Sequence, residues 1–214
     1  MMPIHTVFGV LVALFAVVGS LRGWAKELIV IFSVVLALFV EHVLLSFLPP
    51  VAALFQNMQP KSQFYTRASI FLIIAVFGYA SPTIASRLGA KVARERLQDL
   101  LLGFFIGAIN GYLVIGTLLS FLNLAGYGIP REHWLQQQRV DQAGNPIVDS
   151  SGQPVTVTVY PPDVSGIGGM VPPKPGSPTD NLIGYLPPDI IEKSDAVLYV
   201  AVAAAFIFVI VVFI

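Results

Sequence analysis

Long apolar runs separated by short polar breaks constrain the fold of this chain more than any other feature. A bilayer core about 30 Å thick requires roughly 20 apolar residues in a helix. Five runs approach or reach that length: 4–21, 28–48, 68–85, 100–122 and 195–214. The pattern predicts an all-α polytopic membrane protein with about five transmembrane helices. The first run is marginal in length, so the first two runs also allow a re-entrant pair.

The composition agrees with hydrocarbon as the main solvent. Charged residues make up 11% of the chain and the mean hydropathy is +0.79, whereas soluble domains carry about 25% charged residues. The formal net charge is zero, so the sequence predicts no general attraction to nucleic acid. The chain has no cysteine, which excludes disulfides and thiolate metal sites. We expect no cofactor.

Basic residues set the predicted orientation in the membrane. Short cytoplasmic loops carry an excess of Lys and Arg. The breaks at 22–26 and 87–96 are basic, and both fall on one side if the N-terminus is outside. We therefore expect the N-terminus and the 126–193 segment to be extracytoplasmic and the C-terminus cytoplasmic. Pro82 lacks a backbone N–H and is expected to kink or end the third helix near residues 79–81.

The chain divides into a four-helix membrane domain (1–125), an extracytoplasmic loop (126–193) and a C-terminal transmembrane helix (194–214). Turn signals at 144–146 and 151–154 predict a small β-hairpin or meander within 140–160, between the fourth and fifth helices. We expect Asp141, Asn145 and Asp149 to bond their own backbone in turns rather than to bind calcium. The Pro- and Gly-rich stretch at 160–188 predicts an extended or partly disordered strap that is ordered only if a partner covers it.

Glycines recur at every fourth position of the fourth run and line one helix face, at Gly103, Gly107 and Gly111. Such faces let helix backbones approach closely in lipid. The partner helix can belong to the same chain or to another copy. Asn110 lies beside this face, and because a buried amide needs partners, we expect it to form a helix–helix hydrogen bond. A substrate contact is the alternative.

Two ionisable residues, Glu41 and His42, interrupt the second run. Ionisable groups at membrane depth are functional candidates, here for a proton or quinone contact. Counted from Leu28 at about 1.5 Å per residue, Glu41 lies roughly 20 Å along the helix, near the outer surface. Reaching water by snorkelling is therefore the preferred interpretation.

The polar break after the first run carries Arg22, Lys26 and Glu27. Arg22 and Lys26 can hold anionic lipid head groups. Glu27 is expected near the start of the second helix, where a carboxylate interacts favourably with the helix dipole.

The same break resembles a known family signature. GSLRGWAKE (residues 19–27) resembles the GxxRGxxRE motif of the CvpA (colicin V production) family, and LQDLLLGFFIGAING (97–111) resembles its LDRLLGxxxGxxxG segment. Arg22, Gly23, Lys26 and Glu27 map onto the first motif, with Lys26 in place of Arg. Asn110 stands where the family often has Arg. The resemblance covers about residues 5–125 and implies a small bacterial inner-membrane protein, typically of four spans. Family members are linked to colicin V export, envelope stress and biofilm behaviour.

Neither the motifs nor the family resemblance indicates a chemical reaction that this protein would catalyse. The three histidines are far apart in sequence, and no hydrolase, P-loop or zinc-protease motif is present. The leading hypothesis is a non-enzymatic scaffold or accessory subunit of a larger membrane complex. A more specific version of this hypothesis makes that complex a respiratory or photosynthetic one. Its partners would be the bilayer and other membrane subunits, with a homo-oligomer also allowed. The alternative is a transporter or channel component of the envelope; a membrane enzyme ranks last.

Overall fold

A computed structural model describes residues 3–80, 96–141, 145–161, 164–192 and 195–213. Its α-helices, in chain order, are α1 (Ile4–Arg22), α2 (Trp24–Phe47), α3 (Pro49–Asn57), α4 (Pro60–Ala80), α5 (Arg96–Leu124), α6 (Pro178–Ile183), α7 (Pro187–Glu192) and α8 (Asp195–Phe213). Two strands, β1 (Leu135–Gln138) and β2 (Thr156–Val159), lie between α5 and α6. The chain is thus mainly helical with one small sheet.

Within the described residues, four helices are long and apolar enough to cross a membrane: α1, α2, α4 and α5. Helix α8 forms over the fifth predicted run. Pro82 and the basic residues at 87–94 lie outside the described residues, so their predicted roles stay predictions. The short helix α3 was not predicted. Its signal is the pair Pro49-Pro50, since proline favours the first turn of a helix.

A single residue, Gly23, separates α1 from α2. Its φ of +85° is readily adopted only by glycine. Its N–H donates to the carbonyl of Gly19 at 2.9 Å, which closes the end of α1. A Cβ atom at this position would also lie 2.9 Å from Oδ2 of Asp99 on α5. The polar break is therefore a tight turn held against α5.

The spanning helices pack around one apolar core. Helix α1 lies along α5, while α2 contacts α4, α5 and α8. Val30 and Val34 of α2, Phe71 of α4 and Phe121 of α5 are buried in this core, and the Phe71 and Phe121 rings meet edge to face at 5.8 Å. This packing brings the beginning of α2 and the middle of α5 together.

The outer segment begins with an antiparallel strand pair. Leu135 of β1 pairs with Val159 of β2, and Gln138 pairs with Thr156. The hairpin predicted within 140–160 is therefore present, but its first strand begins earlier, at Leu135. Isolated bridges between Val140 and Pro146 and between Val148 and Pro154 continue the pairing toward the turns.

Acidic side chains accept hydrogen bonds from the backbone in both of the turns that lie between β1 and β2. Oδ1 of Asp149 accepts from the backbone N–H groups of Ser151 at 2.8 Å and Gln153 at 3.0 Å, and Oδ1 of Asp141 accepts from that of Asn145 at 2.9 Å. The Ser151 hydroxyl and then the two backbone N–H donors hold the pKa of Asp149 below its ordinary value. The predicted turn chemistry is confirmed for Asp141 and Asp149, whereas the Asn145 amide lies 3.5 Å from Oδ2 of Asp141 rather than bonding the backbone.

The predicted extended conformation of the strap is wrong for residues 178–183, which form α6, whereas its ordering by a partner stays a prediction. Ile183 and Leu186 are buried in a second cluster with Leu122, Tyr127 and Ile129, at the end of α5. The prediction failed because proline and glycine dominate the composition of the strap, whereas a few apolar side chains decide its packing. The cluster covers one end of the helix bundle. We call residues 126–192, so far as described, the outer cap.

Candidate functional site

The glycine face of α5 packs directly against α1. A Cβ atom built on Gly19 would collide with the carbonyl oxygen of Gly103 and lie 2.6 Å from Cα of Gly107. Gly111 faces Phe15, whose Cβ would lie 2.7 Å from a Cβ at that glycine. Of the two arrangements left open by the sequence, the structure shows the intrachain one. Only glycine permits this distance between the two backbones.

Beside this crossing, Arg22, Glu27 and Asn110 form what we call the polar centre. Glu27 is 1% exposed. Its Oε1 lies 2.6 Å from Nη1 of Arg22, and its Oε2 accepts a hydrogen bond of 2.7 Å from Nδ2 of Asn110. The same Nδ2 donates to the backbone carbonyl of Glu27 at 2.9 Å. Three helices are thereby joined by one carboxylate and one amide.

A fourth helix reaches the polar centre through an aromatic ring. The guanidinium of Arg22 lies 4.5 Å from the ring centroid of Tyr79, near the end of α4. A cation over an aromatic face is attracted by the ring quadrupole, more strongly where water is excluded. Oδ1 of Asn110 is buried and has no hydrogen-bond partner among the described residues. Sequence reasoning missed Tyr79, because no motif contains it.

Glu27 faces the interior of the helix bundle. The residue does lie in the first turn of α2, but its carboxylate faces inward and is paired, so it cannot contact lipid head groups. Lys26 is exposed, and its head-group contact remains a prediction. Asn110 makes hydrogen bonds between helices, as expected for a buried amide. The two separately quoted motifs therefore meet at one site.

The polar centre is suited to holding helices in register. Both carboxylate oxygens of Glu27 are occupied, and the charge of Arg22 cancels that of the carboxylate. Removing charges from water is expensive, and a buried pair is tolerated only when its geometry and hydrogen bonds compensate. Loss of one partner is then strongly destabilising, so the pair ties the positions of α1, α2 and α5 to one another.

A second ion pair lies farther along α2. Oε1 of Glu41 is 3.2 Å from Nη1 of Arg67, and both side chains are 14% exposed. The Arg67 guanidinium also lies 5.7 Å from the Phe55 ring centroid and 5.9 Å from that of Phe121. The expected snorkelling of Glu41 to water is corrected: the carboxylate turns toward α4. Arg67 escaped prediction because the apolar run was counted from residue 68, whereas α4 begins at Pro60.

The ring of His42 packs against α8. Its ring centroid lies 6.1 Å from that of Tyr199 on α8, with the two rings nearly perpendicular. The proton or quinone contact suggested for Glu41 and His42 remains a prediction. Within the described part of the chain, no group of three or more His, Cys, Asp or Glu side chains is arranged to hold a metal ion.

Apolar spanning helices, a glycine crossing and an internally neutralised polar centre define a polytopic helical membrane protein. The family model described as "Colicin V production protein" matches residues 4–142, which is more than half of the chain. The chain therefore belongs to the colicin V production protein family, and the resemblance carried by the two motifs is confirmed. No curated protein and no solved structure matches the chain. Most of the outer cap and all of α8 lie beyond the matched residues.

Proposed function

We propose that this protein is a non-enzymatic scaffold or accessory subunit of a larger membrane complex. The observation that carries the proposal is a group of apolar side chains displayed by the outer cap. Leu135, Val140 and Val148 each expose more than half of their surface on the hairpin. The adjoining strand residues, 136–138, are glutamines and are also exposed, which supports contact of the hairpin with water rather than with lipid. Exposed apolar groups in water favour a protein partner.

The polar centre supports the same function from inside the bundle. Its charges are paired within the chain and its helices are fixed by the glycine crossing. A bundle of this kind presents a constant outer surface, which suits a protein that positions other subunits. The charged groups of the polar centre are committed to one another rather than to a reacting molecule.

We also propose that the outer cap faces away from the cytoplasm. Nδ1 of His5, at the start of α1, lies 2.9 Å from Oγ1 of Thr179 in the outer cap, whereas Arg22 ends the same helix. The cap and the basic turn therefore lie at opposite ends of a helix long enough to span the membrane. This arrangement agrees with the excess of basic residues expected on the cytoplasmic side.

Co-purification in mild detergent tests the scaffold function. We expect the wild-type protein to retain a membrane subunit in fixed stoichiometry, and Val140→Asp with Val148→Asp to lose it. Gln137→Glu with Gln138→Glu adds two charges at exposed polar positions of the same hairpin and serves as the matched control. Recovery of the wild-type chain only as a free monomer from native membranes would contradict the proposal.

A second candidate function, a transporter or channel component, is favoured by the two ion pairs within the bundle. Ionisable residues at membrane depth often mark ion or proton pathways. Here the Glu41–Arg67 pair is the stronger candidate, because each member retains some exposure. Solute or proton flux into proteoliposomes containing only this protein, abolished by Glu41→Gln, would support this function. Absence of flux for the wild-type protein would count against it.

A further inference from the structure

The outer cap contains a cavity of about 390 Å³. Small-molecule sites commonly measure about 300–1,000 Å³. Its lining comes from three parts of the chain that are distant in sequence: the end of α5, the hairpin and the strap. A cavity formed where three segments converge is a better candidate site than a surface groove on one element. Leu135, Val140 and Val148, which were assigned above to a protein partner, are not among its lining residues.

Aromatic rings form one side of this cavity. The centroids of Tyr127 and Tyr160 are 6.2 Å apart at 79°, and those of Trp134 and Tyr160 are 6.2 Å apart at 80°. Nε1 of Trp134 donates to the carbonyl of Ile129 at 2.9 Å, so the polar atom of the indole is already used. Nearly perpendicular rings at such spacing resemble the aromatic cages that bind organic ammonium groups.

Two opposite charges line the same cavity without pairing with each other. Asp180 is fixed by the strap, because its Oδ2 accepts from the N–H of Gly176 at 2.7 Å and its own N–H donates to Oγ of Ser177 at 3.2 Å. Arg139, on the hairpin, also lines the cavity and is exposed. Among the described residues, no ion pair joins the two. The cavity lining therefore carries one acidic and one basic side chain that do not pair with each other.

Tyr127 provides an independent indication of a binding site. It is 1% exposed, yet its hydroxyl has no hydrogen-bond partner among the described residues. Its φ of +58° is unusual for any residue with a side chain, and such strain collects at binding sites. Burial raises the pKa of the Tyr127 hydroxyl, and nearby Tyr160 and Asp180 raise it further. These groups thus converge on one region of the cavity lining.

We propose that this cavity binds a small zwitterion, with its ammonium group near Trp134, Tyr160 and Asp180 and its acid group at Arg139. A simple cation would be repelled by Arg139, and a simple anion by Asp180. A neutral sugar would leave both charges without a partner while removing water from them, which is unfavourable. A zwitterion satisfies both ends and places its apolar part against the rings.

Binding to the purified full chain in nanodiscs tests the assignment, with calorimetry and Trp fluorescence as readouts. Glycine betaine and L-alanine are the zwitterionic probes; choline, acetate and D-glucose are the comparisons. We expect at least one zwitterion to bind about tenfold or more tightly than all three comparisons, which corresponds to about 1.4 kcal/mol. Binding of D-glucose alone, or of neither zwitterion at millimolar concentrations, would overturn the proposal.

Variants separate the two ends of the site. Arg139→Gln should weaken zwitterion binding about tenfold while leaving choline binding equal or stronger. Tyr160→Leu should weaken both zwitterion and choline binding. Arg131→Gln, which changes another exposed arginine outside the cavity lining, is the matched control and should change neither. Circular dichroism and a monodisperse elution profile establish folding of each variant. Zwitterion binding that is insensitive to Arg139→Gln contradicts the assignment.

Discussion

The polar centre and the outer cavity both place polar groups out of contact with water, but they compensate them differently. Glu27 has a partner for each carboxylate oxygen. Among the residues that the structure describes, the buried hydroxyl of Tyr127 has no partner, and the adjacent cavity is lined by Arg139 and Asp180, which do not pair. Groups that satisfy one another hold a structure together, whereas groups left without partners inside the protein suit the capture of a further molecule. Burial alone does not distinguish the two roles, and Oδ1 of Asn110 in the polar centre also has no partner among the described residues. What distinguishes the two sites is charge pairing: Glu27 is paired with Arg22, whereas Asp180 and Arg139 are not paired with each other.

The largest effect is expected from breaking the polar centre. Glu27→Ala removes the carboxylate that pairs with Arg22 and accepts from Asn110. We expect the free energy of unfolding to fall by about 3 kcal/mol, at the low end for a broken buried pair, because the Arg22 side chain is 25% exposed and can partly reach water. Equilibrium unfolding in detergent measures the change.

The adjacent residue provides the control for this experiment. Lys26 is exposed, so Lys26→Ala should change the free energy of unfolding by no more than about 0.5 kcal/mol. If the two substitutions proved equally costly, the burial of Glu27 would not be what distinguishes them. The role of the polar centre as a structural tie would then be wrong.

The sequence was informative about the polar centre for a specific reason. Arg22, Glu27 and Asn110 lie in or beside two motifs, and the glycine spacing predicted a close helix crossing. The inward direction of Glu27 could not be predicted, because a residue in the first turn of a helix can face either lipid head groups or a neighbouring helix. That choice depends on where Asn110 lies in three dimensions, 83 positions later in the chain.

The outer cavity was much less accessible to sequence reasoning. Tyr127, Trp134 and Tyr160 follow no helical or strand period that would unite them, and Asp180 lies in a stretch whose composition suggested an extended strap. Their convergence results from the packing of Ile183 and Leu186 onto the end of α5. The hairpin turns were predictable, since Asp141 and Asp149 bond to the backbone only a few residues away.

A smaller effect is expected at the glycine crossing that supports the polar centre. Gly19→Ala would place a Cβ atom 2.6 Å from Cα of Gly107, a backbone atom that cannot move without shifting α5. We expect a loss of about 2 kcal/mol in the free energy of unfolding, typical of an overpacked interior. A double-mutant cycle with Glu27→Ala would show a coupling energy if the crossing positions the polar centre.

Gly9, on the same helix, is the matched control for the crossing. A Cβ atom there would have nothing within 4 Å, so Gly9→Ala should be neutral or stabilising by up to about 1 kcal/mol through helix propensity. Equal losses at both glycines would show that backbone flexibility, rather than the distance between α1 and α5, explains the effect.

The smallest expected effect has the opposite sign and lies in the outer cap. Tyr127→Phe removes a buried hydroxyl that has no partner among the described residues, so we expect a gain of about 1 kcal/mol in the free energy of unfolding. Ser120→Ala is the contrasting deletion, because Oγ of Ser120 donates to Oδ2 of Asp189 at 3.0 Å and its loss should be destabilising. Both values come from the same unfolding measurement.

Measuring the stability of the wild-type protein and of Tyr127→Phe at several probe concentrations tests whether the Tyr127 hydroxyl belongs to the zwitterion site. If the hydroxyl contributes to the zwitterion site, glycine betaine or L-alanine should stabilise the wild-type protein more than Tyr127→Phe, and the advantage of the variant should shrink as the probe concentration rises. Equal stabilisation of both proteins would exclude a contact between this hydroxyl and the bound probe. A loss of stability in the unliganded variant would show that the Tyr127 hydroxyl already has a hydrogen-bond partner. The contrast between the polar centre and the outer cavity would then be wrong for Tyr127.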